Sequence, residues 1–192
     1  MMRNFILILL ISTHAMAQES LPFFSIPAAP EQVTTATTLA RMIQGLGFRY
    51  HWATEGLRAE DLSYRPSPEA QSGLETLQHI YGLALVIHNT TLSQANLRPL
   101  PNIPDDIKSL RSSTLELLKK ASENFIQASE EDIAKMQVIF DRQGKESRFP
   151  IWNLMNGPIE DLAYHTGQIV SFRRTTGNPI PKGVNVFMGT KN

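Results

Sequence analysis

The chain has 192 residues, 42% hydrophobic and 19% charged, a size and balance that suit one globular domain with a sizeable core. Its 18 basic and 18 acidic residues cancel, so neither nucleic acid nor an anionic membrane surface is indicated as a partner. The absence of cysteine excludes disulfide staples, thiolate ligands or nucleophiles, and a lipid anchor attached at a cysteine.

The N-terminal stretch opens with a short basic region at Arg3, followed by an apolar run from Phe5 to Ile11. That run has signal-peptide length and is too short to span a bilayer. Ala15-Met16-Ala17 places small residues before a cleavage bond, with Gln18 as the new N-terminus. Residues 1–17 therefore predict an exported protein, periplasmic or secreted. Residues 18–30 are proline-rich and aperiodic and predict an extended lead-in, with Phe23 and Phe24 docking on the body.

Residues 31–192 are expected to form the domain. A first helix is predicted over 31–57, with Leu39, Met42, Ile43, Leu46, Tyr50, Ala53 and Leu57 on one face. His51 falls roughly 130° from the centre of that face and pairs with Glu55 one turn on, which reads as a flanking, solvated pair. The two prolines of 62–68 predict a loop. Ser72 and Glu75 then form a capping box that starts a second helix, running to about residue 92. Leu77, Ile80, Leu83, Ala84 and Ile87 make its stripe, and Tyr81, Leu85 and Val86 leave its other sides apolar as well. His79 and His88 lie on opposite flanks, and helix geometry alone does not choose between them.

Three prolines break the chain at 98–104, and a third helix follows over 105–128, favoured by Asp105 and Asp106 at its start. Leu110, Thr114, Leu117, Leu118, Ala121 and Phe125 form its stripe. Ser129 is positioned to cap one more turn through Met136. A hairpin is predicted over 137–151, with Gly144 at the turn. The last helix runs from Trp152 to Gly177, with a kink or fresh start at Gly157-Pro158 and a left-handed stop at Gly177. Arg173 and Arg174 complement its C-terminal dipole. The tail is expected to be extended, lying along the body through Ile180, Val184, Val186 and Phe187. Four amphipathic segments with short or proline-rich links predict an all-α, up-down four-helix bundle, carrying a short hairpin before its last helix.

The last helix carries the chemistry. Leu154, Pro158, Leu162, Ile169 and Phe172 make an apolar stripe, and Asp161, His165 and Gln168 fall on the same side at i, i+4 and i+7. A carboxylate, an imidazole and an amide in such a stripe need partners. They read either as a hydrogen-bonded Asp–His pair or as an Asp-x-x-x-His metal half-site. With no cysteine, a metal site draws on His, Asp and Glu, which suit zinc, nickel, iron or manganese. Gly167 either lets a ligand approach closely or packs against a helix.

The capped second helix with Leu77-Gln78-His79-Ile80 near its start, and the last helix with Tyr164-His165-Thr166-Gly167-Gln168-Ile169, resemble the DinB-like superfamily. The resemblance spans residues 31–177. It implies a four-helix bundle holding one divalent transition metal through His79, Asp161 and His165. Many members have histidine where this chain has Asp161; the carboxylate is a sound oxygen donor and makes the site one charge more negative. Characterised members include thiol-dependent transferases and isomerases, and an exported location argues against dependence on cytosolic thiols. The resemblance leaves two classes: a metal-dependent transferase or hydrolase, or a non-enzymatic module binding a metal or a small ligand. Tyr164, Glu160 and His88 are the candidates for a general base, and His51 and His88 remain alternatives at the site. A di-metal carboxylate bundle needs Glu-x-x-His on two helices, and the chain has no such repeat. The expected partners are a small-molecule substrate and a second copy of the chain.

Overall fold

The structure is a computed structural model and describes residues 21–192. The expected signal segment, its expected cleavage point after Ala17 and the first residues of the lead-in lie outside the described residues. Four long helices dominate: α1 (Thr35–Thr54), α3 (Gly73–Thr91), α4 (Ile107–Gln127) and α7 (Glu160–Thr175). Short helices α2 (Ala59–Ser63), α5 (Glu130–Lys135) and α6 (Trp152–Leu154) lie between them. Helices α1 and α3 each pack on both α4 and α7. Ile43, Leu77, Ile80, Leu118 and Leu162 meet between them in one fully buried core. Among the described residues, no helix is long and apolar enough to cross a membrane.

Local chemistry sets the helix ends. Helix α1 begins at Thr35, four residues later than expected, because Thr34 and Thr37 form a reciprocal capping box there. It stops at Thr54 rather than Leu57, where Glu55 turns extended and Gly56 takes φ 67°. Helix α2 was not expected. It forms because the Asp61 carboxylate accepts from the Arg58 N–H at 2.7 Å and caps its first turn. Ser72 and Glu75 make the predicted capping box of α3, and Ser129 and Asp132 cap α5.

The hairpin is present as β2 (Gln137–Arg142) and β3 (Lys145–Pro150), with Gly144 at φ 87° in the turn. The sequence reading missed β1 (Ala95–Leu97), which adds in parallel to β2 and makes a sheet of order β1-β2-β3. The fold is mainly helical, as expected, and the expected hairpin is extended by β1 into a small sheet. A three-residue strand has no periodicity to read; it exists because the β2 edge offers partners. Asn96 is fully buried beside that edge and donates to the Ile139 carbonyl at 2.9 Å.

The lead-in docks through Phe23, whose ring lies where a side chain on Gly47 would be, 2.3 Å from an ideal Cβ. The Phe24 ring is half exposed and packs edge-on against Trp52. The C-terminal tail forms a small hairpin, β4 (Val184–Asn185) with β5 (Thr190–Lys191). Ile180 and Val184 are partly covered, but Phe187 is 93% exposed, so the expectation that it lies on the body is corrected. The turn between β4 and β5 carries it outward, and Gly189 rather than Phe187 makes the contact, against Ile26.

Candidate metal centre

Two elements deliver the site. Helix α3 is fixed at its start by the Ser72–Glu75 box and holds His79 two turns further on. Glu75 is committed there. Its carboxylate accepts from Arg65 and from the Ser72 N–H, which together hold its pKa down to about 2. The second element is the break at Gly157-Pro158. Residues Met155–Ile159 form a π turn containing Pro158, and α7 restarts at Glu160. Proline removes one backbone donor, and the wider turn absorbs the resulting mismatch. Asp161 therefore sits in the first turn of α7, with His165 one turn later.

The three side chains converge. Asp161 Oδ2 lies 3.1 Å from His79 Nε2, and Asp161 Oδ1 lies 3.2 Å from His165 Nε2. The imidazole centroids are 4.6 Å apart, with their planes at 84°. One donor atom from each residue falls within 4.8 Å of the other two, so the group could hold a metal ion. Metal–ligand bonds of about 2.1 Å at tetrahedral or octahedral angles put neighbouring donors about 3.0–3.4 Å apart. The two histidine–carboxylate separations, each to a different Asp161 oxygen, fall in that range.

The protonation pattern sharpens the fit. Gln168 Oε1 lies 2.6 Å from His165 Nδ1, and Gln168 Nε2 donates to the Tyr164 hydroxyl at 3.2 Å. An amide oxygen only accepts, so with the Gln168 amide in this orientation the contact is a hydrogen bond when the His165 proton is on Nδ1. In the neutral ring, Nε2 is then a bare lone pair facing a carboxylate oxygen. Two acceptors at that distance repel; the gap calls for a cation, either a second proton on the ring or a metal. Gln168 is thus the outer acceptor that a ligating histidine needs, with Tyr164 orienting it in turn.

The site is open. The His79 and Asp161 side chains are 40% and 42% exposed, so they flank the core instead of sitting in it as the stripe suggested. His165 is more enclosed, at 16%. Three protein donors leave coordination positions for water or substrate.

The other candidates resolve differently. His51 is buried and not solvated: its Nδ1–H donates to the Pro22 carbonyl at 2.8 Å, because the lead-in folds over that face of α1. Glu55 pairs with Arg111 at 2.5 Å rather than with His51. His51 and His88 take no part in the converging group. Of the candidate bases, Tyr164 reaches the site through Gln168, and Glu160 is exposed. A Cβ at Gly167 would meet nothing within 4 Å, so packing against a neighbouring helix does not require a glycine there. The sequence reading also missed the segment after β1. Arg98, Leu100 and Ile103 form a wall beside His79, around a cavity of about 300 Å³. Only the pairing of β1 with β2 brings them there, and no local pattern announces it.

No protein-family model matches the sequence, and no curated protein matches it. Among solved structures, the chain is similar to the crystal structure of a DinB-like protein, YjoA, from Bacillus subtilis. The two are 18% identical with a TM-score of 0.55, and the match covers 75% of this chain and 95% of that one. The frame that brings His79 to Asp161 and His165 is a DinB-like fold.

Proposed function

We propose that the protein is an exported, metal-dependent enzyme, a transferase or hydrolase acting on a small molecule. In this reading the four long helices form an up-down bundle, and one divalent transition metal is held by His79 Nε2, Asp161 and His165 Nε2. The carrying observation is the convergence of His79, Asp161 and His165, whose donor atoms lie within 4.8 Å of one another, with the Gln168 amide oxygen 2.6 Å from His165 Nδ1 as the outer partner. When bound, the metal supplies Lewis acidity, lowering the pKa of a coordinated water or thiol. The chain's own part is to hold the donors, orient His165 through Gln168 and Tyr164, and leave the site exposed on one side. That exposure favours catalysis over a purely structural metal, which would be enclosed by a fourth protein donor. Export rests on the residue pattern of 1–17, and the N-terminal sequence of secreted protein should begin at Gln18.

Elemental analysis of the purified mature protein tests the site. Wild type is expected to carry about one zinc, nickel, iron or manganese ion per chain, and His165→Ala to lose most of it. Equal metal content in the two proteins would remove the triad as a metal centre and leave a protonated Asp–His cluster in its place.

A further inference from the structure

The cavity beside the metal centre has α3 on one side and the segment after β1 on the other. Gln78, His79, Gly82, Leu83, Arg98, Leu100 and Ile103 line it. Its volume, about 300 Å³, is at the lower end for small-molecule pockets, so an occupant is small. Leu83, Leu100 and Ile103 supply an aliphatic wall, Gln78 and His79 are its neutral polar groups, and Arg98 brings the formal charge.

Arg98 is held in place by the sheet. Its N–H extends the β1–β2 pairing by donating to the Asp141 carbonyl at 2.8 Å. Its guanidinium lies over the Phe140 ring at 5.2 Å, and that of Arg142 lies over the same ring at 5.6 Å. Among the described residues, no carboxylate forms an ion pair with Arg98. Its side chain makes one hydrogen bond, to the Leu97 carbonyl at 3.1 Å, which leaves most of its donors for another partner. Burial, and then the like charge of Arg142, hold its pKa below the ordinary arginine value. A half-buried cation beside a second cation, with no counter-ion, is an arrangement that an anion relieves.

We propose that this cavity is the substrate pocket of the metal site and that the substrate is a small carboxylate with an apolar body. The carboxylate sits on the Arg98 guanidinium, the body lies against Leu83, Leu100 and Ile103, and the reacting group points toward His79. The planar guanidinium fork matches a carboxylate in two-point contact. Gly82 sets how closely α3 and Leu100 approach across the pocket: a Cβ there would meet Leu100 Cδ2 at 3.2 Å, so that side chain would have to shift. The reacting end of this assignment rests on the metal reading, whereas the anion contact does not.

Calorimetric titration of the full mature protein with hexanoate and with hexanamide, before and after chelation, tests the assignment. Hexanoate is expected to bind at least about tenfold more tightly than hexanamide, with and without metal. Arg98→Gln should remove that preference while keeping wild-type metal content, and Gly82→Ala should weaken hexanoate more than propionate. Hexanoate binding that survives Arg98→Gln but vanishes on chelation would place the carboxylate on the metal; this overturns the Arg98 pocket and leaves the metal site standing. Absence of metal together with Arg98-dependent binding would do the reverse. The hexanoate–hexanamide comparison uses wild-type protein alone, so equal affinities there overturn the proposal even where a variant unfolds.

Discussion

Gln168 Oε1 and His165 Nδ1 are 2.6 Å apart, a contact that favours the tautomer with its proton on Nδ1 while Nε2 faces Asp161. Removing the acceptor frees the ring to take the other tautomer, which puts a proton where the cation belongs. Gln168→Leu is therefore expected to weaken metal binding by about 10–100-fold, the range seen when an outer partner of a ligating histidine is lost. Competition against a chelator of known affinity measures this; an unchanged constant would detach Gln168 from the site. Residue type and spacing were enough to pick out Asp161, His165 and Gln168, because i, i+4 and i+7 stack on any α-helix. They were not enough to show that Glu75 is committed to its cap, or that His51 is covered by the lead-in through Pro22. Those facts depend on which atoms arrive from elsewhere.

At the scale of elements, the last carbonyls of α1 lack partners within their own helix. Arg173, on the last turn of α7 and 2% exposed, supplies them. Its Nη1 donates to the carbonyls of Ala53 at 2.9 Å and Glu55 at 2.8 Å, and its Nε donates to Asn178 O at 2.8 Å. The sequence assigned Arg173 to the dipole of its own helix; the structure shows that it closes the end of a different one. Arg173→Met strands those carbonyls and should cost about 3 kcal/mol in urea unfolding. Arg174→Met, at an exposed position of the same turn, should stay within about 0.5 kcal/mol of wild type. Similar losses in both variants would mean that general helix charge, not capping of α1, is at work. The hairpin over 137–150 was legible because two alternating runs flank a polar turn with glycine. Strand β1 was not, since its pairing with Ala95↔Ile139 register spans more than forty residues of sequence.

At the scale of the whole molecule, α2 and the end of α7 are joined through Asp61, which is 2% exposed. Burial alone would push its carboxyl up. Hydrogen bonds from the Thr176 hydroxyl, the Arg58 N–H, Asn178 and the Arg58 guanidinium outweigh this and hold it at about 2, below the ordinary 3.8. A folded value below the unfolded one gives stability that is complete above about pH 4 and disappears as pH falls toward 2. The amount is roughly 2 kcal/mol. Thermal midpoints measured across that window should fall more steeply for wild type than for Asp61→Asn, which should already be less stable at neutral pH. Parallel pH profiles would show that other carboxylates set the acid limit. The sequence by itself determined the four long helices, the caps of α3 and α5 and three polar residues on one face of the last helix, because period, caps and i+4 spacing are local properties of a chain. Only the tertiary structure decided that His79, which the resemblance implies, meets that face, that Arg98 and Leu100 stand beside it, and which end of which helix Arg173 closes. Each of these depends on side chains far apart in sequence meeting, and the cost and reward of such meetings are written in packing, not in any window of residues.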